Sequence, residues 1–177
     1  MKVYASLALI ALLLAVSIAR NAVWADDGRL WNDIIEKAPR KARAYNEYGL
    51  HVLDSGDPVG ALKLLGKSLE LNRYQPQIYV NIGLAYERMG QIEKAIAAYE
   101  MAIFIEPGDP TPYYNLGWLH YQRFKDRDRA LEYFLKARDR NPSEPDVHQY
   151  LGKIYEEQGD LIRSAAEMAL YERLRHR

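Results

Sequence analysis

The sequence predicts an all-α solenoid of antiparallel helical hairpins, preceded by an N-terminal hydrophobic helix. Three observations carry the prediction. Gly49, Gly83, Gly117 and Gly152 recur at intervals of 34, 34 and 35 residues, and self-similarity at that period marks stacked helical repeats. Between successive glycines, apolar residues fall three and four apart, the spacing of one helical face. Pro76, Pro110 and Pro145 share one phase, opening a helix where a missing N–H is tolerated.

Within Pro76 to Asp109, Tyr79, Ile82, Gly83 and Tyr86 form one stripe. A Met89-Gly90-Gln91 break follows, and Ile92, Ala95, Ile96, Tyr99, Ala102 and Ile103 form a second stripe that ends before Pro107. Two helices joined by so short a turn pack antiparallel, with small residues where the backbones cross. Gly83 and Ala95 meet that need here, and Gly49 with Ala61, Gly117 with Ala130 and Gly152 with Ser164 repeat it. The hairpins are expected at 42–75, 76–109, 110–144 and 145–177. A lead helix over 26–41, carrying Leu30, Trp31, Ile34 and Ile35, would cap the array. No Ser/Gly-rich linker interrupts the stretch from Leu30 to Arg177, so an unbroken array is expected.

These residues resemble the tetratricopeptide repeat (TPR) consensus from Ala42 to Arg177. Tyr45, Tyr79 and Tyr113 match its first aromatic anchor, with His148 departing from it. Pro107 and Pro142 match its late proline, which Arg73 replaces in the first repeat. The third repeat carries one extra residue in its turn, near Phe124-Lys125-Asp126. The resemblance implies a right-handed superhelix whose first helices line a concave face. By repeat phase that groove would present Asn46, Leu50, Val80, Asn81, Leu84, Tyr114, Asn115, Trp118, Tyr121 and Tyr150. Exposed aromatic side chains beside amides suit an extended peptide, whose backbone needs hydrogen bonds and whose side chains need pockets. A protein or peptide segment is therefore the expected partner. Replacing Trp118 and Tyr114 by Ala is expected to abolish binding and leave thermal stability nearly unchanged. TPR domains that grip a C-terminal carboxylate resemble one another in a Lys, Asn and Arg clamp. The corresponding positions here read Asn46, Leu50, Asn81, Thr111 and Asn115, so the cations that a carboxylate requires are missing.

Composition bounds the chemistry. With no cysteine among 177 residues, thiolate catalysis, disulfides and zinc–thiolate sites are excluded. Formal charge is zero, and a nucleic-acid footprint needs a basic face. Of the four histidines, His120 and His148 occupy core phases, and neither a His-x-x-x-His pair nor a Gly-x-Ser-x-Gly elbow occurs. Asp126 and Asp128, beside Lys125, Arg127 and Arg129, read as a solvated charged turn. No catalytic residue, cofactor or metal site is expected.

Val3 to Ala19 is an uncharged run of 17 residues between Lys2 and Arg20, at the lower limit for a membrane span. Val23-Trp24-Ala25 would suit signal-peptide cleavage, which leaves a secreted or periplasmic soluble protein as the alternative. The stretch Arg20-Asn21-Ala22-Val23-Trp24, then Leu30-Trp31, Pro39, Ala42 and Tyr45, resembles the junction of the transmembrane-and-TPR-containing proteins and their bacterial, glycosyltransferase-like relatives. There a last membrane helix runs into a lumenal or periplasmic TPR array. That likeness implies a retained membrane anchor with Arg20 and Trp24 at the interface and a periplasmic, extracytoplasmic TPR domain. It also raises a role as accessory subunit of an envelope glycosyltransferase or other membrane enzyme complex, although the multi-span catalytic region is absent here. Finally, Leu161, Ala165, Met168 and Leu174 of the last helix are expected to be only partly covered. That suggests self-association or docking into a larger membrane assembly.

Overall fold

The computed structural model describes residues 27–176. The expectations for Val3–Ala19, Arg20 and Trp24, including the N-terminal hydrophobic helix, lie outside these residues. The described residues are helical, with no strand among them: α1 (Asp27–Lys37), α2 (Ala42–Asp54), α3 (Pro58–Leu71), α4 (Pro76–Arg88), α5 (Ile92–Ile105), α6 (Thr111–Leu119), a π-turn (His120–Phe124), α7 (Arg127–Arg140), α8 (Pro145–Glu157) and α9 (Leu161–Arg175). Helices α2/α3, α4/α5, α6/α7 and α8/α9 are the four hairpins, and α1 precedes them.

Where the sequence suggested an unbroken array, the chain divides into two compact units either side of Tyr74. The physical reason lies in the connection. Helix α3 stops at an extended Asn72, whose side chain accepts from the Tyr74 amide at 3.1 Å, and Tyr74 itself is 85% exposed.

In the first unit, α2 and α3 meet where Gly49 lies against Leu65 and the Ala61 carbonyl. Ala44, Leu53, Ala61 and Leu65 form the buried face, and the Ser68 hydroxyl donates to the Ala42 carbonyl at 2.7 Å. Tyr45 donates its phenol to the Pro39 carbonyl at 3.2 Å.

The second unit holds the other three hairpins. Its core has two layers. One gathers Val80, Ala95, Tyr99, Ala102, Leu116 and Leu119; the other gathers Tyr113, Ala130, Phe134, Ala137, Val147, Leu151, Ile154 and Tyr155. The repeat glycines permit the close crossings, and their nearest neighbours are larger than the sequence suggested. A Cβ on Gly83 would lie 2.4 Å from the Tyr99 ring, one on Gly117 2.9 Å from Phe134, and one on Gly152 2.8 Å from Met168. The small residues Ala95 and Ala130 line the same crossings, but the bulky side chain one turn later fills the space.

The paired anchor positions also gain a reason. Tyr113 donates to the Pro107 carbonyl at 3.2 Å, repeating the Tyr45–Pro39 bond. His148, the departure from the aromatic pattern, places Nε2 2.9 Å from the Pro142 carbonyl. That carbonyl can only accept, so Nε2 carries a proton. His148 Nδ1 then meets the buried Glu167 carboxyl at 2.6 Å, and Arg138 donates to the other Glu167 oxygen at 3.1 Å. The imidazole thus ties α7, α8 and α9 together while keeping the anchor bond.

At the chain's last hairpin, Leu161 and Ile162 are 67% and 85% exposed, and Ala165 is exposed while Met168 and Leu174 are partly covered.

Candidate partner-binding face

The residues expected to line one groove divide between the two units. Asn46 and Leu50 belong to the first, the remainder to the second. Asn46 is buried, at 5% exposure, while Leu50 on α2 is partly exposed.

In the second unit, two expectations need correction. Val80 and Asn81 are each 1% exposed, so neither offers a side chain to a partner. Val80 is a short side chain, and Leu116, Leu119 and Tyr99 close over it within one core layer. Asn81 accepts a hydrogen bond from Gln77 at 3.4 Å. Leu84 is partly buried against the same layer. The repeat phase is sound, but side-chain length decides whether that phase reaches the surface: at the position equivalent to Val80, the longer Tyr114 remains half-buried.

The structure brings Tyr114, Trp118, Tyr121 and Tyr150 together. Tyr150 stacks on Phe134 with centroids 5.0 Å apart, meets Tyr121 edge-on at 5.5 Å and meets Tyr114 edge-on at 6.1 Å. Tyr114 also packs edge-on against Phe134 at 5.8 Å. Trp118 packs against both core layers and keeps part of its surface exposed, as does Asn115 beside it. These contacts run against one expectation: Tyr114 and Trp118 support the fold, so their removal would cost stability.

One end of the aromatic cluster is held by a charge network. Tyr121 donates to Glu157 at 2.6 Å, and the Arg127 guanidinium pairs with the same carboxylate, donates to the Tyr121 carbonyl at 2.9 Å and lies 4.1 Å from the Tyr121 ring centroid. Burial pushes the Tyr121 phenol up, and its bond to Glu157 adds to that, to about 12. Burial also works to raise Glu157, but the bonds from Tyr121 and Arg127 win and hold it below the usual carboxylate range. Arg127 was read from sequence as part of a solvated loop. Its partner lies thirty residues away, a distance no local pattern reveals.

At the other end, a cavity of about 150 Å³ is lined by Pro110, Thr111, Tyr114, Glu144, Asp146 and Val147. Burial, then the neighbouring Tyr150, Asp146 and Glu144, raise the Tyr114 phenol well above its ordinary value, so it is a neutral donor at any physiological pH. Among the described residues, no group of three or more His, Cys, Asp or Glu is placed to hold a metal ion, and no helix is long and apolar enough to cross a membrane.

All-helical two-helix repeats, with half-exposed aromatic side chains and an amide along the first helices of the second unit, define a helical-repeat protein. Tetratricopeptide repeat sequence patterns match residues 76–109 and 114–175. The chain belongs to the tetratricopeptide repeat family. It is 35% identical over 98 residues to the photosystem I assembly protein Ycf3 of Prochlorococcus marinus, a match covering 54% of this chain and 55% of that protein. It is 26% identical over 128 residues to human tetratricopeptide repeat protein 16, covering 68% of this chain but 15% of the human protein. The chain therefore spans about half the length of the first relative and a small part of the second. Among solved structures, MamA shares the fold with a TM-score of 0.72 at 21% identity, over 89% of this chain and 93% of MamA. PilF of Pseudomonas aeruginosa gives 0.75 at 18% identity, over 92% and 73%. YrrB, described as a TPR protein with an unusual peptide-binding site, gives 0.65 at 19% identity, over 81% and 74%.

Proposed function

We propose that this protein is a non-catalytic scaffold that holds a protein or peptide segment against the α6/α8 face of its second unit. The observation that carries the reading is the aromatic cluster itself. Trp118, Tyr114, Tyr121 and Tyr150 are rigid and pre-packed, yet each remains partly exposed, so a partner gains contact area without ordering flexible side chains first. Asn115 supplies a donor and an acceptor for the backbone of an extended segment.

Selection from a random-peptide display library tests this. Enriched peptides should lose about tenfold or more in affinity with Asn115→Ala, as expected of a central contact, and be indifferent to Glu93→Ala on exposed α5 surface. Asn115→Ala leaves the aromatic packing intact, so lost binding is not lost folding. Peptides that bind equally well to Asn115→Ala and Trp118→Ala would refute the assignment.

In the fuller reading, residues 3–19 tether the chain to a membrane with the TPR domain on the extracytoplasmic, periplasmic side. The 17-residue uncharged run and the likeness of the Arg20-to-Tyr45 junction to membrane-linked TPR proteins support it. Intact mass of the protein from its native membrane fraction tests it: retention of residues 1–25 supports the tether, and a soluble species beginning at Asp26 overturns it. A second reading follows from the relative named as a photosystem I assembly protein: the chain assists assembly of a membrane-protein complex, and the held segment belongs to one of its subunits.

A further inference from the structure

The α6/α8 face carries opposite charge at its two ends. Thr111 and Asp146, at the starts of α6 and α8, line one cavity, and Tyr121 meets Glu157 where both helices finish, so the two run the same way. At the far end, Lys125 and Arg127 both act on Glu157, and Lys153 Nζ lies 5.2 Å from the Tyr150 ring centroid. Three cations there stand against one carboxylate. At the near end, Glu144 and Asp146 line the cavity of about 150 Å³ beside Tyr114, and no Lys, Arg or His shares its wall.

These two carboxylates are not spent within the fold. Glu144 holds the N-cap position of α8 yet makes no side-chain capping bond, whereas Asp57, Asp126 and Asp160 cap α3, α7 and α9. Among the described residues, neither Glu144 nor Asp146 pairs with a cation, and the Tyr114 hydroxyl makes no hydrogen bond. The positive ends of α6 and α8 contribute roughly half a charge each, which leaves about one negative charge unbalanced. Burial first, then Tyr150, Asp146 and Glu144, keeps the Tyr114 phenol protonated, so both carboxylates lie within electrostatic reach of it. Asp146 is exposed and Glu144 half-buried, which leaves the cavity open to an arriving group.

We propose that this cavity takes a basic side chain of the partner segment, which presupposes that the segment lies along α6 and α8 as described above. An ammonium or guanidinium brings donors only, and the two carboxylates and the Tyr114 hydroxyl supply acceptors. The Tyr114 ring adds a face that attracts a cation, and Pro110 flanks the aliphatic stem. The cavity is well below the roughly 300–1,000 Å³ of a small-molecule site, and two carboxylates fall short of the roughly six to eight oxygens that calcium takes. A basic residue at the far end would meet Lys125, Arg127 and Lys153. The charge gradient therefore also fixes which end of the segment lies over Tyr114.

The test selects from one displayed random-peptide library on the full chain and, separately, on its Glu144→Gln/Asp146→Asn variant. Peptides whose binding depends on Asn115 should carry a basic residue at one fixed position when selected on the wild type, and show no such preference when selected on the variant. In synthetic copies, norleucine in place of that residue should weaken binding to the wild type about tenfold or more, as loss of a hydrogen bond to a charged group does, and hardly alter binding to the variant. Added salt should weaken the basic peptide and spare the norleucine one, a comparison that needs no substitution in the protein. Asn115-dependent peptides without a basic residue, an equal norleucine penalty on both proteins, or no difference in salt response overturn the basic-side-chain site and leave the aromatic face standing. Recovery of no Asn115-dependent peptide overturns both.

Discussion

The second and third hairpins differ by one residue, and the fold accommodates it inside a helix. In α4/α5 the first helix ends at Arg88, Gly90 turns with φ at 72°, and the Gln91 amide returns to the Tyr86 carbonyl at 2.9 Å. The first and fourth hairpins close the same way, Asp57 to Val52 and Asp160 to Tyr155. Each acceptor lies three residues beyond its repeat glycine. In α6/α7 the equivalent acceptor is His120, but the amide that reaches it at 3.0 Å belongs to Asp126, one residue farther on. The surplus residue is absorbed by widening the last turn into a π-turn, and Lys125 takes the left-handed φ of 56° that glycine holds in the other three turns. Both closing bonds survive, and so does the Asp126 cap on α7. What changes is the setting of the His120 side chain. Insertions of this kind are frequent at functional sites, because the ladder tolerates them while one side chain is re-aimed.

The sharpest way to break the comparison is at the glycines. Helix propensity favours Ala over Gly by about 1 kcal/mol, so any net loss measures the clash. In the second hairpin, a Cβ on Gly83 would stand 2.4 Å from Tyr99, whose ring is fully buried and whose hydroxyl is held by Glu87 at 3.0 Å. In the third, the approach to Phe134 is 2.9 Å, and Phe134 has no hydroxyl to tether it. Gly83→Ala is expected to lose about 2–3 kcal/mol and Gly117→Ala about 1 kcal/mol or less. Urea unfolding measures both. Equal losses would mean that the Tyr99–Glu87 bond does not fix the ring, and Gly83→Ala with Tyr99→Leu should recover much of the deficit.

The turns give a smaller effect of opposite sign in the two hairpins. Lys125→Gly removes a side chain from the left-handed region and should stabilise by about 1 kcal/mol, while Gly90→Lys should cost a similar amount. If Lys125→Gly is neutral or destabilising, the attraction of Lys125 for Glu157 offsets the backbone strain.

Much of this architecture was legible in the sequence, because it rests on local periodicity. Period, glycine phase, prolines and the extra residue near Lys125 all follow from spacing alone. The candidate site was legible only in part. Repeat phase grouped Tyr114, Trp118 and Tyr121, but it gave Val80 and Asn81 the same standing. The burial of Val80 depends on how far Leu116, Leu119 and Tyr99 reach from other helices, and spacing carries no such information. Arg127 on Glu157 and His148 on Glu167 are pairings between hairpins, where any of several surface charges would satisfy a local pattern. The division after Tyr74 was hidden for a related reason: Asn72-Arg73-Tyr74 has no Gly/Ser signature, and the extended Asn72 and the exposed Tyr74 ring mark it only in the structure.

The smallest expected effect is a pH dependence confined to the third hairpin. Burial lowers the folded-state pKa of His120 below its ordinary value of 6.5, with Arg129 adding to burial and Asp126 opposing it. Above about 6.5 both folded and unfolded chains carry the neutral ring, and no stability is lost. As pH falls below that, the unfolded chain takes up a proton that the folded chain refuses, so stability declines until pH reaches the folded value and then levels off. At the equivalent phase the second hairpin has Tyr86, which does not titrate there. His120→Phe should therefore remove one component of the acid-side slope, read as the difference between wild-type and variant urea midpoints from pH 7.5 down to about 5. Asp126 and Glu132 act on His120 and are part of the difference, while groups remote from it cancel. A difference that stays constant with pH would show that the folded chain protonates His120 as readily as the unfolded one. The imidazole would then have to find a partner for its buried Nδ1 below pH 6.5.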